Sequence, residues 1–154
     1  MDFKALENSI KPLDKAAVEA AQARWNGIAK PVGSLGRLER MVCALAGIQR
    51  TPDVRIDRRA VLVFCADNGV VAQGVASTPQ EITAVMAGFI AQGRSTVGIM
   101  AKQAHADVIA VDIGMCRRVD LPNILDRHVA DGTADMAGGP AMSRAQAEQA
   151  IRTG

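Results

Sequence analysis

Two apolar runs constrain this chain more than anything else in it. AVLVFC at 60–65 and ADVIAVDIG at 106–114 hold few polar residues and many β-branched ones. A half-exposed strand alternates apolar and polar positions. A continuous run predicts a strand buried on both faces, as in parallel sheets. Between the runs the period changes. Ile82, Val85, Met86, Phe89 and Ile90 fall at i, i+3, i+4, i+7 and i+8, which predicts a helix packed on a core. Gly93-Arg94 interrupts it, and Ser95 is suited to cap a second, shorter helix ending near Gln103. Strand, helix, helix, strand is a βαβ unit, and its crossover is expected to be right-handed.

The N-terminal flank reads as helical. Ala17, Ala21, Trp25 and Ile28 share one face of a helix expected over Asp14–Ala29, which stops near Lys30-Pro31 because proline disfavours helical geometry before it. Leu35, Leu38, Met41, Val42, Leu45 and Ile48 form the stripe of a second helix, with Ser34 as its expected N-cap. Thr51–Arg59 is a polar connection containing Pro52. Residues 115–142 are loop-rich, punctuated by Gly132 and Gly138-Gly139-Pro140, with a short third strand expected around His128–Ala130. Ser143-Arg144-Ala145-Gln146 is a capping-box pattern that opens a final helix.

The predicted fold class is α/β: a Rossmann-like parallel sheet with flanking helices, incomplete in this chain. The expected division is a helical segment over 1–50, part of a small domain, and 51–154 as the first part of an α/β domain. Two or three parallel strands leave open edges, whereas parallel sheets usually carry more strands and covered faces. The chain is therefore expected to be the front part of a larger domain, or to be completed by another chain.

Composition removes several function classes. Eighteen basic and 16 acidic residues leave a net charge of +2, too balanced for a nucleic-acid or charged-membrane surface. With three Phe, one Trp and no Tyr, the core must be aliphatic, and the same scarcity argues against a single-stranded nucleic-acid platform of stacked aromatic rings. Cys43, Cys65 and Cys116 are scattered, which argues against a disulfide framework or zinc ribbon and for a reducing cytoplasm. MDFKALENSIKPLDK has no apolar core, so no signal peptide is expected. No run approaches the ~20 apolar residues of a membrane span.

Ligands of open α/β sheets bind beyond the carboxyl ends of the strands. Asp67, Asn68 and Gly69 follow the first strand, and Asp112 ends the second. Their carboxylates could orient a base, bind ribose hydroxyls or hold a metal; alternatively Asp67 caps a turn and Asp112 binds backbone amides. Thr78-Pro79-Gln80-Glu81 reads as a helix start, with Thr78 and Glu81 as a capping box and Pro79 at the first helical position. That gives Glu81 a structural role, while Thr78 stays available to a ligand. Lys30, Gly33, Ser34 and Arg37, in the basic glycine loop KPVGSLGR, could receive an anion or simply turn the chain. The loop lacks the Gly-Lys-Ser/Thr ending of a Walker A motif, and no G-x-G-x-x-G follows the first strand. His105 and His128 lie in different segments, and no His or Cys pair has metal-ligand spacing. Cys65 reads as core and Met86 as part of the apolar helix face. No metal or cofactor is expected.

Several motifs agree in order with one family. KPVGSLGRLE (30–39), CADNGV (65–70), GVASTPQEIT (74–83), VIAVDIGM (108–115) and GPAMSRAQAEQAI (139–151) resemble the nicotinate-nucleotide–dimethylbenzimidazole phosphoribosyltransferases. The resemblance runs from about residue 12 to the last residue and implies a reaction. A benzimidazole nitrogen attacks the anomeric carbon of nicotinate mononucleotide, nicotinate leaves, and α-ribazole phosphate forms with inversion, as in cobalamin lower-ligand synthesis. It implies small-molecule substrates, no cofactor and a homodimer. It also implies a base-binding wall: Asp67, Asn68 and Gly69, then Thr78 and Pro79, with Met86 on the pocket-facing helix. Thr78 stands where relatives often have Ser, and Asn68 where His is common. The family's catalytic glutamates match none of Glu7, Glu19, Glu39, Glu81 or Glu148. No catalytic residue is thus expected in this chain, and the chain alone is expected to be inactive. The rival expectation is a non-catalytic base- or nucleotide-binding module acting with another subunit.

Overall fold

The computed structural model describes residues 3–154. The chain divides into two compact units, Met1–Asp57 and Arg58–Gly154.

The first unit is helical: α1 (Phe3–Ser9), α2 (Lys15–Asn26) and α3 (Arg37–Gln49). Asp14 caps α2, its carboxylate accepting from the Ala17 amide at 2.9 Å. Ala17 and Ala21 are buried as expected, but Ile28 lies beyond the helix and is exposed. The expected stripe of α3 is not the buried one. Leu35, Leu38, Met41 and Ile48 are exposed, and Glu39, Cys43, Ala46 and Gly47 are its buried residues. Small residues win because the helices approach too closely for larger ones. A Cβ on Gly47 would stand 2.7 Å from Val18 Cγ2. Ala21, Cys43 and Ala46 form the core of this unit, with Val18, Trp25 and Val54 against it.

The second unit is a parallel sheet in the order β1-β2-β3, flanked by helices. β1 (Ala60–Ala66) and β2 (Asp107–Gly114) are joined by α4 (Glu81–Ala91) and α5 (Thr96–Gln103). β3 is Ile124–Asp126 and α6 is Arg144–Thr153. Ser95 caps α5, accepting from the Gly98 amide at 3.2 Å. Ser143 and Gln146 complete the expected capping box of α6.

Three expectations are corrected in this unit. The third strand lies at 124–126, ahead of His128–Ala130, because the Asp126 carboxylate takes the His128 amide at 3.0 Å and turns the chain. β1 is not buried on both faces. Cys65, Val63 and their neighbours pack under α4, while Leu62 and Phe64 on the other face are 53% and 45% exposed. The α4 start is the third. α4 begins at Glu81 with Gln80 at its cap, so Thr78 and Glu81 form no capping box and Pro79 precedes the helix. Gln80 is drawn instead to the loop after β1, its Nε2 donating to the Asn68 carbonyl at 3.1 Å.

The same small-residue logic turns α4. Ala84, Ala87 and Gly88 are its buried residues. The large residues read as core, Ile82, Val85, Met86 and Phe89, are partly exposed beside that contact line.

Candidate functional site

β1 and β2 run side by side until Cys65, paired with Asp112; the register then slips so that Ala66 meets Gly114. This irregularity brings Asp67 and Asp112 to the carboxyl edge of the sheet, both 4% exposed. Buried carboxylates require donors. Asp67 accepts from the Cys116 amide at 2.7 Å. Asp112 accepts from the amides of Gly114 and Met115 at 2.9 and 3.0 Å, and its Oδ2 lies 3.0 Å from His128 Nδ1. Both carboxylates thus tie down the loop that follows β2. Together with burial, the larger effect, they push the Cys65 thiol pKa up.

Above this floor lies a groove of ≈ 380 Å³ between the β1 end and α4. One wall is apolar, formed by Ile82, Met86 and Ile90 at i, i+4 and i+8 on α4. Asp67, Asn68, Thr78 and Pro79 line the other parts. The Asn68 amide and the Thr78 hydroxyl make no hydrogen bond among the described residues, and both residues are exposed. They are free polar groups of the groove, as is the Thr83 hydroxyl. Gly69 is not part of the lining. It packs beneath, where a Cβ would lie 2.6 Å from backbone atoms of Thr133, Ala134 and Asp135. Its glycine is required by that close approach.

The structure therefore brings Asp67, Asn68, Thr78, Pro79 and Met86 together, with Gly69 supporting them from behind. Sequence reasoning missed Ile82, Ile90, Gln80 and Val71 as lining residues. The i, i+4, i+8 spacing of Ile82, Met86 and Ile90 was visible, but periodicity cannot tell a core face from a groove face. His128, read only as a non-ligand, has a side chain just 7% exposed, between two carboxylates. Among the described residues no cluster of three His, Cys, Asp or Glu could hold a metal ion.

The basic glycine loop behaves differently. Lys30 Nζ pairs with Glu39 at 2.8 Å, with side chains 13% and 4% exposed, and lies 5.5 Å over the Trp25 ring. The Leu35 amide also donates to Glu39, at 3.0 Å. These two bonds, Lys30 first, hold the Glu39 carboxyl below the ordinary range. Gly33 and Gly36 take the positive φ values of 73° and 54° that the turn needs. Ser34 donates its amide to the Pro31 carbonyl rather than capping α3, whose cap residue is Gly36. A carboxylate of the chain itself occupies the cation that an outside anion would need. Of the four candidates Gly33, Ser34 and Arg37 are exposed, and Arg37, at the start of α3, is the one whose side chain carries a charge.

A groove over the carboxyl ends of parallel strands is where open α/β sheets bind ligands. Residues 10–154 match the family model described as phosphoribosyltransferase. A nicotinate-nucleotide–dimethylbenzimidazole phosphoribosyltransferase of Ruminiclostridium cellulolyticum is 38% identical over 154 residues, all of this chain and 44% of that protein. The enzyme of the same name from Escherichia coli O9:H4 is 42% identical over 147 residues, 95% of this chain and 41% of that one. A crystal structure of the Thermus thermophilus enzyme aligns with a TM-score of 0.83 at 36% identity, covering 91% of this chain and 43% of that one. The chain belongs to the family of nicotinate-nucleotide–dimethylbenzimidazole phosphoribosyltransferases. It spans less than half the length of the curated relatives it matches.

Proposed function

We propose that the groove is the base-binding wall of a phosphoribosyltransferase that transfers phosphoribose from nicotinate mononucleotide to 5,6-dimethylbenzimidazole, giving α-ribazole 5'-phosphate and nicotinate. The observation that carries this reading is the convergence of Asp67, Asn68, Thr78, Pro79 and Met86 on one groove. A planar, methylated base suits it. The ring and its methyl groups lie on Ile82, Met86 and Ile90, and a ring nitrogen faces the polar side with Asn68 and Thr78. Apolar lining with a few placed polar groups is the usual composition of such pockets.

The chemistry asks for more than a wall. As the base nitrogen bonds to the anomeric carbon and nicotinate leaves, the other nitrogen must lose its proton, which suits a carboxylate within hydrogen-bond reach. Asp67 is the carboxylate that lines the groove, but its Oδ2 is already engaged by the Cys116 amide. No glutamate lines the groove among the described residues. The proton acceptor is therefore expected from outside these 154 residues. The division into a helical segment over 1–50 and a Rossmann-like α/β part over 51–154, a homodimer and a cytoplasmic setting belong to the same reading. They rest on the family resemblance and, for the compartment, on three free cysteines.

The test uses the 154-residue chain. Titration with dimethylbenzimidazole should show saturable binding, weakened by Met86→Asp. Incubation with dimethylbenzimidazole and nicotinate mononucleotide should give no α-ribazole phosphate. Absence of any base binding would remove the groove from the reaction. Turnover would show that the proton acceptor is in this chain after all.

A further inference from the structure

We propose that His128 is a positioning residue for the groove. It holds the wall residues Asp67 and Asn68 in place through Asp131 and the turn at Gly132. The inference rests on the reading of the groove as the base site, and it adds a residue that lies outside the groove itself.

The ring is a bridge. Nδ1 lies 3.0 Å from Asp112 Oδ2, and Nε2 lies 2.9 Å from Asp131 Oδ1. Both ring nitrogens thus lie within hydrogen-bond distance of a carboxylate oxygen. Its two partners differ in kind. The Asp112 side chain is 6% exposed and fixed by two amides at the end of β2. The Asp131 side chain is 77% exposed and reaches inward to the ring. The buried histidine thus anchors a surface residue to the end of the central strand.

The segment beyond Asp131 pairs with the loop that follows β1. Gly132 adopts φ 80°, and a Cβ there would stand 2.8 Å from Cys116 Sγ and 3.2 Å from the Asp67 carbonyl. The Thr133 amide donates to the Asp67 carbonyl at 3.0 Å. The Gly69 amide donates back to the Thr133 carbonyl at 3.1 Å and to its hydroxyl at 3.2 Å. Asn68 and Thr133 form a parallel bridge. The wall residues Asp67 and Asn68 are thus held by the segment that His128 ties down. Charge-assisted hydrogen bonds are the strong ones in such a chain.

Two substitutions separate the two bonds. Asn places its amide nitrogen near the position of Nδ1 and keeps the link to Asp112. Gln places it near Nε2 and keeps the link to Asp131. Hydrogen exchange of backbone amides is measured in the ligand-free 154-residue chain. His128→Asn should speed exchange at Gly69 and Thr133 by about tenfold, the loss expected for one such bond, and leave the β1–β2 ladder unchanged. His128→Gln, which gives up the Asp112 link, should speed exchange at the same two amides, because the bridge needs both bonds. Asp131→Ala acts from the exposed side and does not disturb packing, so it should reproduce His128→Asn even if that variant folds poorly. Equal protection in all variants overturns the proposal, and so does loss spread over the whole ladder, because either reduces His128 to ordinary packing. Dimethylbenzimidazole titration separates this idea from the base-site reading. If the parent binds and Asp131→Ala binds equally well, the positioning role is wrong. If the parent does not bind but the exchange pattern holds, the base-site reading fails and the hold on the wall stands.

Discussion

Glu39 shows how much one partner can decide. A glutamate on an apolar helix face would normally cost stability, since burying an unpaired charge is expensive. Here Lys30 and the Leu35 amide satisfy it, and the glycine turn brings them within reach. The Lys30 bond lowers the Glu39 pKa relative to an unfolded chain. A lowered carboxyl pKa means stability that is fully present above the ordinary carboxylate pKa and lost as pH falls through the lowered one. Glu39→Gln should therefore lower the melting temperature of the helical unit by several degrees at neutral pH and flatten its acid dependence. The fluorescence of Trp25, the single tryptophan, reports it. An unchanged acid dependence would mean that Lys30 and Glu39 do not hold the turn.

At the scale of elements, two sequence patterns that look alike behave differently. Ser143-Arg144-Ala145-Gln146 and Thr78-Pro79-Gln80-Glu81 both read as capping boxes, yet the first forms one and the second does not. The difference lies outside the motifs. In α6 the Gln146 side chain accepts from the amide of its own cap residue, whereas α4 starts only at Glu81, with Gln80 as cap residue and its Nε2 donating to the Asn68 carbonyl. Ser143→Ala should cost about 1 kcal/mol of stability, the usual loss of a good cap. Thr78→Ala should stay within about 0.5 kcal/mol, as for an exposed side chain away from such features. Denaturant unfolding of both variants checks the contrast. If Thr78→Ala costs as much as Ser143→Ala, the helix start is misplaced. Any effect of Thr78→Ala should fall instead on base binding, because Thr78 lines the groove and its hydroxyl has no partner among the described residues.

At the scale of the molecule, the sheet is covered unequally. α4 and the residues after β2 pack on one face. On the other, the pairing Leu62↔Ile109 and Val111↔Leu125 sets a row of apolar side chains, of which Leu62, Phe64, Ile109 and Leu125 are exposed. Contiguous apolar patches on a folded chain mark surfaces that become covered or bind a partner. The 154-residue chain should therefore bind an environment-sensitive hydrophobic dye in its native state. Leu62→Lys combined with Phe64→Lys should remove most of that signal while the circular dichroism stays the same. Dye binding unaffected by the pair would place the accessible apolar surface elsewhere.

Much of this was legible in the residues. The two apolar runs, the helical period between them and the Ser95 and Ser143 caps depend on neighbours within a few positions, so the local chain determines them by itself. The order of the site loops was legible for the same reason, because Asp67–Gly69 and Thr78–Pro79 flank elements with clear periods. Only the tertiary structure decided which faces those elements bury. Close helix–helix and helix–sheet approach selected Ala84, Ala87 and Gly88 on α4, and Ala46 and Gly47 on α3, over the larger residues of the visible stripes. That choice left Ile82, Met86 and Ile90 facing a groove. The partners of His128, 16 residues from Asp112, and of Gly69, 64 residues from Thr133, were likewise decided by the fold. Hydrophobic spacing records that a residue prefers to be buried; which surface buries it depends on distances that exist only once the chain has folded.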